Sequence, residues 1–281
     1  RSSAASDVYK RQGVIINGKA PISGSKTDKS DTALTEINND YKYGGSAADD
    51  NSGSLTYVKI CYAGARSTAD IEHNGLTLNG VGNGTKIENI YVLESADDAI
   101  EFFGGTVNVT NLLAVNPDDD MFDFTQGYSG TLKNCYGVWE NGYTSTEADP
   151  RGIEADGNLD GLYPTHLRQS DFRVENMTIV NNAADKADNV DRMQDVIKIR
   201  RGAKAAIVNA LVKGTGGSID LIDMSDSKGA GNADSSVSIT NSLNLTGKKL
   251  NGTLNTFAEP AGNTGTDVSL FTWTGYNFSS L

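Results

Sequence analysis

One short pattern recurs along the chain and restricts the folds open to it: IENIYV at 87–92, VTNLLAV at 109–115, LKNCYGV at 132–138, VENMTIV at 174–180, IVNALVK at 207–213 and ITNSLNL at 239–245. Each copy carries an asparagine at the same phase, Asn89, Asn111, Asn134, Asn176, Asn209 and Asn241, at intervals of 22, 23, 42, 33 and 32 residues. The short intervals match one coil of a parallel β-solenoid; the longer ones are one coil plus a loop, or two coils with one poorly marked. A single coil cannot bury its inward row, whereas neighbours about 4.8 Å apart bury a continuous one. Asparagines in one column can hydrogen-bond amide to amide along the stack and hold the bend between strands. An amphipathic helix is a poor alternative, because Gly, Thr, Val and Asn at these densities are weak helix formers.

A second strand-like segment follows each early copy by about ten residues: AIEFFGG at 99–105, MFDFTQG at 121–127, GIEADG at 152–157, VIKIRRG at 196–202 and SIDLID at 218–223. Period-two alternation predicts half-buried strands, with Ile100 and Phe102, Phe122 and Phe124, Ile197 and Ile199, and Ile219 and Leu221 pointing inward. An earlier pair, LTYVKICY at 55–62 and GLTLNGV at 75–81, fits less cleanly. The expected fold is all-β, a right-handed single-stranded parallel β-helix over 13–281 as one domain, with loop insertions near 140–150, 158–172 and 181–195. The 31 glycines and abundant Asn, Ser, Thr and Asp supply its turns, and five prolines exclude a Pro-rich linker.

The stretches GVIINGKAPISG, YKYGGSAADDNSGSLTYVKICYAG, HNGLTLNGVGNGTKIENIYV, ADDAIEFFGGTVNV, DDDMFDFTQGYSGTL and RGIEADGN resemble a family of secreted or surface lipoprotein-type β-helix proteins of pectin-lyase-like architecture, common in Bacteroidetes and some Proteobacteria. The resemblance is strong from Gly13 to Asn158, and the ending FTWTGYNF is similar to that family's C-terminal strand. It implies a fold and an extracellular or outer-membrane-surface location, and carries no firm activity. Residues 1–12, RSSAASDVYKRQ, resemble the translation of a transposon adapter used in sequencing libraries. Set aside as foreign, they imply the expectation of a metagenomic fragment whose native start, with any signal peptide or lipidated cysteine, would lie upstream.

Lys and Arg total 24 against 36 Asp and Glu, a net charge of −12. Nucleic acid and anionic lipid, which need positive charge on the protein, are not expected partners. No apolar run is long enough for a membrane helix, and a monomer is expected. Cys135 lies in an apolar phase and Cys61 in the opposite one, so no disulfide is expected between them. His73 and His166 are expected at the surface, and with the cysteines they show no zinc spacing. Neither a nucleophile elbow nor a phosphate or dinucleotide loop is present.

The chemistry that remains is acidic. The outward residues of the second strand read Glu101, Asp123, Glu154, Lys198 and Asp220, and the turns before the first two add Asp97, Asp98, Asp118, Asp119 and Asp120. Stacked like charges about 5 Å apart cost roughly 1 kcal/mol per pair even in water, and a hard cation such as Ca²⁺, which takes six to eight oxygens, would relieve them. Asp97, Asp98, Glu101, Asp118, Asp119, Asp120 and Asp123 are therefore the candidate metal ligands, and a solvated acidic face is the alternative. Tyr128, Tyr136, Trp139 and Tyr143 cluster around one loop, and Tyr128, Trp139 and Tyr143 are candidates to stack on a sugar. The leading functional expectation is a non-catalytic secreted or cell-surface protein binding glycan or protein ligands, with Ca²⁺. The alternative is a polysaccharide lyase or glycoside hydrolase acting on an acidic glycan, with Asp123, Glu154, Arg151 and Lys198 as catalytic candidates and Arg200 and Arg201 nearby. A third reading is a structural element of a larger surface protein. The polygalacturonase pattern is not met, because no Gly-His-Gly follows the Asp pair.

Overall fold

The computed structural model describes residues 13–64, 73–184 and 193–281, so the segment 1–12 and the 185–192 part of the third insertion lie outside it. The chain is a right-handed parallel β-helix built on two eight-stranded sheets. The front sheet stacks Val14–Asn17, Leu76–Asn79, Ile100–Phe103, Phe122–Thr125, Ile153–Asp156, Met193–Arg200, Gly217–Asp223 and Asn244–Leu245. The back sheet stacks Ser54–Cys61, Lys86–Leu93, Val109–Val115, Thr131–Trp139, Asp171–Asn181, Lys204–Lys213, Ser236–Asn241 and Thr256–Ala258. The segments at 55–62 and 75–81 supply ordinary strands of the stack. The 42-residue interval is a single coil with loops, since Lys133 pairs directly with Glu175.

The asparagine ladder forms over five coils. Asn111 donates to Asn89, Asn134 to Asn111, Asn176 to Asn134 and Asn209 to Asn176, each Nδ2 to Oδ1 at 2.9 Å. All five have φ between 54° and 59°, the left-handed region that Asn tolerates better than most residues. Asn241 does not join them. Two residues, Val208 and Asn209, face the single Ser238, so the register shifts and Asn241 lies beside Val212. The free end of the ladder is met by the C-terminal segment instead, with Thr264 N donating to Asn209 Oδ1 at 2.8 Å.

Inside the helix, Phe102, Phe124 and Phe172 stack on successive coils, with centroids 5.0 and 4.1 Å apart. Cys135 is buried and Cys61 exposed, and neither is paired. His73 is buried rather than exposed, at 2%. The ending FTWTGYNF is not a strand but part of two 3₁₀ turns, Val268–Thr274 and Phe278–Ser280. Asp267 caps the first by accepting from Ser269 N, and Gly275, at φ 71°, ends it. This segment runs back along the outside of the back sheet and covers Tyr91, Leu113, Tyr136, Val138 and Val180 with Phe271, Trp273, Tyr276 and Phe278. That cover is why these outward positions are apolar.

The ladder yields a stability prediction. Asn134→Ala removes two amide hydrogen bonds, about 1 kcal/mol each, and places Ala in a conformation costing about 1–2 kcal/mol. A loss of about 2–4 kcal/mol by urea denaturation is expected. Asn134→Gly, which keeps the backbone freedom and loses only the amide, is expected to lose visibly less.

Candidate functional site on the front sheet

The ladder of backbone hydrogen bonds on the front sheet continues past the strand starts. Gly75 N donates to Asp98 O, Ala99 N to Asp120 O, Met121 N to Arg151 O and Gly152 N to Asp195 O, and Asp195 pairs with Asp220. Asn74, Asp98, Asp120, Arg151, Asp195 and Asp220 therefore form one column. Three residues on, Thr77, Glu101, Asp123, Glu154, Lys198 and Asp223 form a second. Both columns face outward because the two residues between them turn a corner with both side chains inside: Ala99 and Ile100, Met121 and Phe122, Val196 and Ile197, Leu221 and Ile222 are all fully buried. Strict alternation fails at this corner. It misplaces Asp220, which stands beside Asp195 rather than Lys198, and the inward pair of that coil is Leu221 and Ile222 rather than Ile219 and Leu221.

The two halves of the face differ in how charge is balanced. In the lower half Arg151 pairs with Glu154 and, at 2.7 Å, with Asp149. Arg200 pairs with Glu154 and, at 2.6 Å, with Asp156, while Arg201 reaches Asp156 at 2.5 Å and Asp226 at 3.3 Å. Lys198 pairs with Asp223 and lies 3.8 Å from Asp195. Burial disfavours the charged guanidinium of Arg151 and Arg200, yet the surrounding carboxylates hold both pKa values above the ordinary one. For Asp223, burial is outweighed by the hydrogen bonds from Lys198 and Ser225, so its carboxyl is held below the usual range. Arg151 and Lys198, the basic catalytic candidates, are thus engaged in ion pairs.

The upper half is a cluster of carboxylates. Asp98, Glu101 and Asp123 each offer a carboxylate oxygen within 4.8 Å of the other two, as do Asp97, Asp98 and Asp119. Among the described residues no Lys or Arg pairs with Asp98, Glu101 or Asp123. Asp98 accepts from Asp120 N at 2.9 Å, Glu101 from Asn74 Nδ2 at 2.5 Å and Asp120 from Arg151 N at 2.6 Å. Asp123 Oδ1 is buried and takes no hydrogen bond. Burial, and then repulsion among neighbouring carboxylates, pushes Asp98, Glu101, Asp120 and Asp123 well above the usual range. An all-oxygen set with an unsatisfied buried carboxylate oxygen fits a hard divalent cation. A third triad, Asp195, Asp220 and Asp223, has the same spacing, but the Lys198 ammonium already sits beside it.

Asp118 is not part of the upper cluster. Its Oδ1 accepts from Thr146 N at 2.8 Å and Tyr143 Oη at 3.3 Å, so it organises the 140–147 loop. The aromatic candidates are packing residues. Tyr128 is wholly buried against Phe102, Phe124 and Phe172 and donates to Val107 O. Trp139, also wholly buried, and the part-buried Tyr143 both donate to Pro117 O, at 3.0 and 2.8 Å. None of the three offers a free ring face, because the loop they cluster around is pinned inward.

The acidic columns open onto a cleft of about 430 Å³ lined by Glu101, Asp123, Glu154, Asp156, Arg200, Arg201 and Phe103, with Lys26, Glu36, Leu159 and Leu162 at its edges. Lys26 and Glu36 belong to an insertion between the first two front strands, whose antiparallel hairpin pairs Thr32–Leu34 with Lys42–Gly44. The sequence reading missed this wall, Asn74, Asp156 and Asp195. The first column could have been read from the spacing of NGLT, DAIE, DMFD, RGIE, DVIK and DLID, in which a polar residue precedes the outward one by three.

No helix among the described residues is long and apolar enough to cross a membrane. Comparison with known proteins matches residues 2–275 to the model of the pectate-lyase-like β-helix domain, a match that begins inside the segment set aside as foreign. No curated protein and no solved structure is matched. With two parallel sheets wound through the described residues and the family match running nearly end to end, the chain belongs to the pectate-lyase-like β-helix domain family.

Proposed function

We propose that this is a secreted or cell-surface protein that binds a carboxylated glycan in the front-sheet cleft through a divalent cation, Ca²⁺, held by Asp98, Glu101 and Asp123. The observation that carries this reading is the contrast between two equivalent carboxylate triads. The lower one has the Lys198 ammonium beside it, whereas among the described residues no Lys or Arg is ion-paired with the upper one, which keeps a buried oxygen of Asp123 unsatisfied. Three clustered, largely desolvated carboxylates with too little counter-charge are costly, and a cation that binds only the folded state would offset that cost. With fewer than the six to eight oxygens Ca²⁺ prefers, such an ion would have positions open to a uronate carboxylate. Arg200 and Arg201 at the cleft floor would further offset the acidity a charged sugar meets.

Binding is favoured over catalysis because the groups a reaction needs are occupied. A lyase needs a free base, and Arg151, Lys198, Arg200 and Arg201 all hold carboxylates. A retaining hydrolase needs a free nucleophile, and Glu154 is held by both Arg151 and Arg200. Unsaturated or newly reducing products from polygalacturonate or alginate would overturn this preference.

Four outcomes are expected. Millimolar CaCl2 raises the melting temperature, by about 2.7 kcal/mol of stability at 100 times the dissociation constant, while MgCl2 gives much less and NaCl at equal ionic strength does not reproduce the shift. Asp123→Asn abolishes the calcium response. In EDTA, stability falls as pH rises above the ordinary carboxylate range, because carboxyls held above their unfolded values bind protons more tightly when folded. That slope opposes ordinary acid denaturation and is expected to flatten in calcium; a slope independent of calcium would contradict the assignment. Finally, oligogalacturonate binding measured by calorimetry is expected in calcium and lost in EDTA.

A further inference from the structure

A second hollow of about 460 Å³ lies under the 32–44 hairpin and joins the acidic cleft, sharing Lys26, Glu36, Phe103 and Leu159 with it. Its chemistry is different. The cleft is lined mostly by charged side chains, whereas this hollow combines a packed apolar patch of Ala33, Tyr43, Phe103 and Leu159, with Leu34, and a polar lining that includes Lys26, Asp28, Glu36 and Lys42. Leu34, which lines the hollow, is 54% exposed, and Leu162, which lines the cleft, is 48% exposed, so each of the two adjoining spaces has a large apolar side chain left in water. The patch is rigid. Tyr43 Oη donates to Gln126 Oε1 at 2.7 Å, and Gln126 Nε2 donates to Gly24 O at 2.6 Å, which ties the insertion to the coil beneath it. The Lys26–Glu36 ion pair, at 2.7 Å, spans the mouth between the two hollows.

A preformed hollow of this volume with an apolar patch in its wall is in the range that holds a small-molecule group, and its continuity with a charged cleft suits an occupant polar at one end and apolar at the other. We propose that it takes an aryl or acyl substituent carried by the sugar seated in the acidic cleft. The inference rests on the glycan-binding reading for the sugar half, while the hairpin pocket stands on its own geometry. Moving the substituent from water onto Phe103, Leu34 and Leu159 supplies affinity in proportion to its apolar area. The sugar's own contacts are unchanged.

The test compares methyl β-glucuronide with 4-nitrophenyl β-glucuronide by calorimetry, in calcium and in EDTA, on the full chain and on Leu34→Asp. Leu34 is exposed, so the substitution leaves the core intact. The aryl glycoside is expected to bind at least tenfold more tightly than the methyl glycoside in calcium, and Leu34→Asp is expected to erase that difference while leaving the methyl glycoside unchanged. Aryl binding that persists in EDTA and disappears in Leu34→Asp would support the hairpin pocket while removing the cation reading. Equal affinities of the two glycosides, or an aryl advantage that survives Leu34→Asp, would overturn the inference and leave the cation reading standing. No binding of either glycoside in any condition would overturn both.

Discussion

Every feature of this chain depends on parallel strands stacked in register, one coil on the next. Because each coil sets the same position directly above its counterpart, one residue choice becomes a column of like neighbours, for better or worse. Asparagine in a column is favourable, since an amide is both donor and acceptor and each rung satisfies the next. Phenylalanine is favourable inside, as the stack of Phe102, Phe124 and Phe172 shows. A carboxylate in a column is costly, because it accepts only, and like charge repeats at the coil spacing.

The protein handles that cost in two ways on one face. Below, Arg151, Lys198, Arg200 and Arg201 interleave with Glu154, Asp156, Asp195 and Asp223, so every acid has a cationic neighbour one coil away or less. Above, Asp98, Glu101, Asp120 and Asp123 share two adjacent coils; among the described residues their hydrogen-bond donors are backbone and amide groups, and the charges of Arg151 and Arg200 offset only part of the burial and repulsion at Asp120 and Asp123. Ion pairing thus balances the lower half, whereas the Asp98, Glu101 and Asp123 carboxylates of the upper half are close enough to hold a metal ion. Lys26 and Glu36 of the insertion line the same cleft as Glu101 and Asp123, so two of these acids face a cleft.

The architecture was legible in the sequence because it repeats: the Asn column announced the coil length, and apolar alternation located both strands of most coils. What escaped was local. Asn241 has the right neighbours in sequence, but a one-residue bulge opposite it removes it from the ladder. Asp220 was misplaced because alternation breaks where two successive residues turn inward. Tyr128 and Trp139 looked like a ligand platform, yet a solenoid interior also needs large rings, and sequence does not say which side of a turn faces in. The 24–44 wall occurs once, without a repeat to mark it, and so left no periodic signal.

The central claim is that the upper triad holds a divalent cation and the lower does not. Crystals grown with calcium chloride, with diffraction recorded at a wavelength where calcium scatters anomalously, test it directly. The expected result is an anomalous peak among the carboxylates of Asp98, Glu101 and Asp123, with oxygens about 2.3–2.6 Å away, and none among Asp195, Asp220 and Asp223, where Lys198 resides. A map empty at the upper triad, or a peak at the lower one alone, would contradict it.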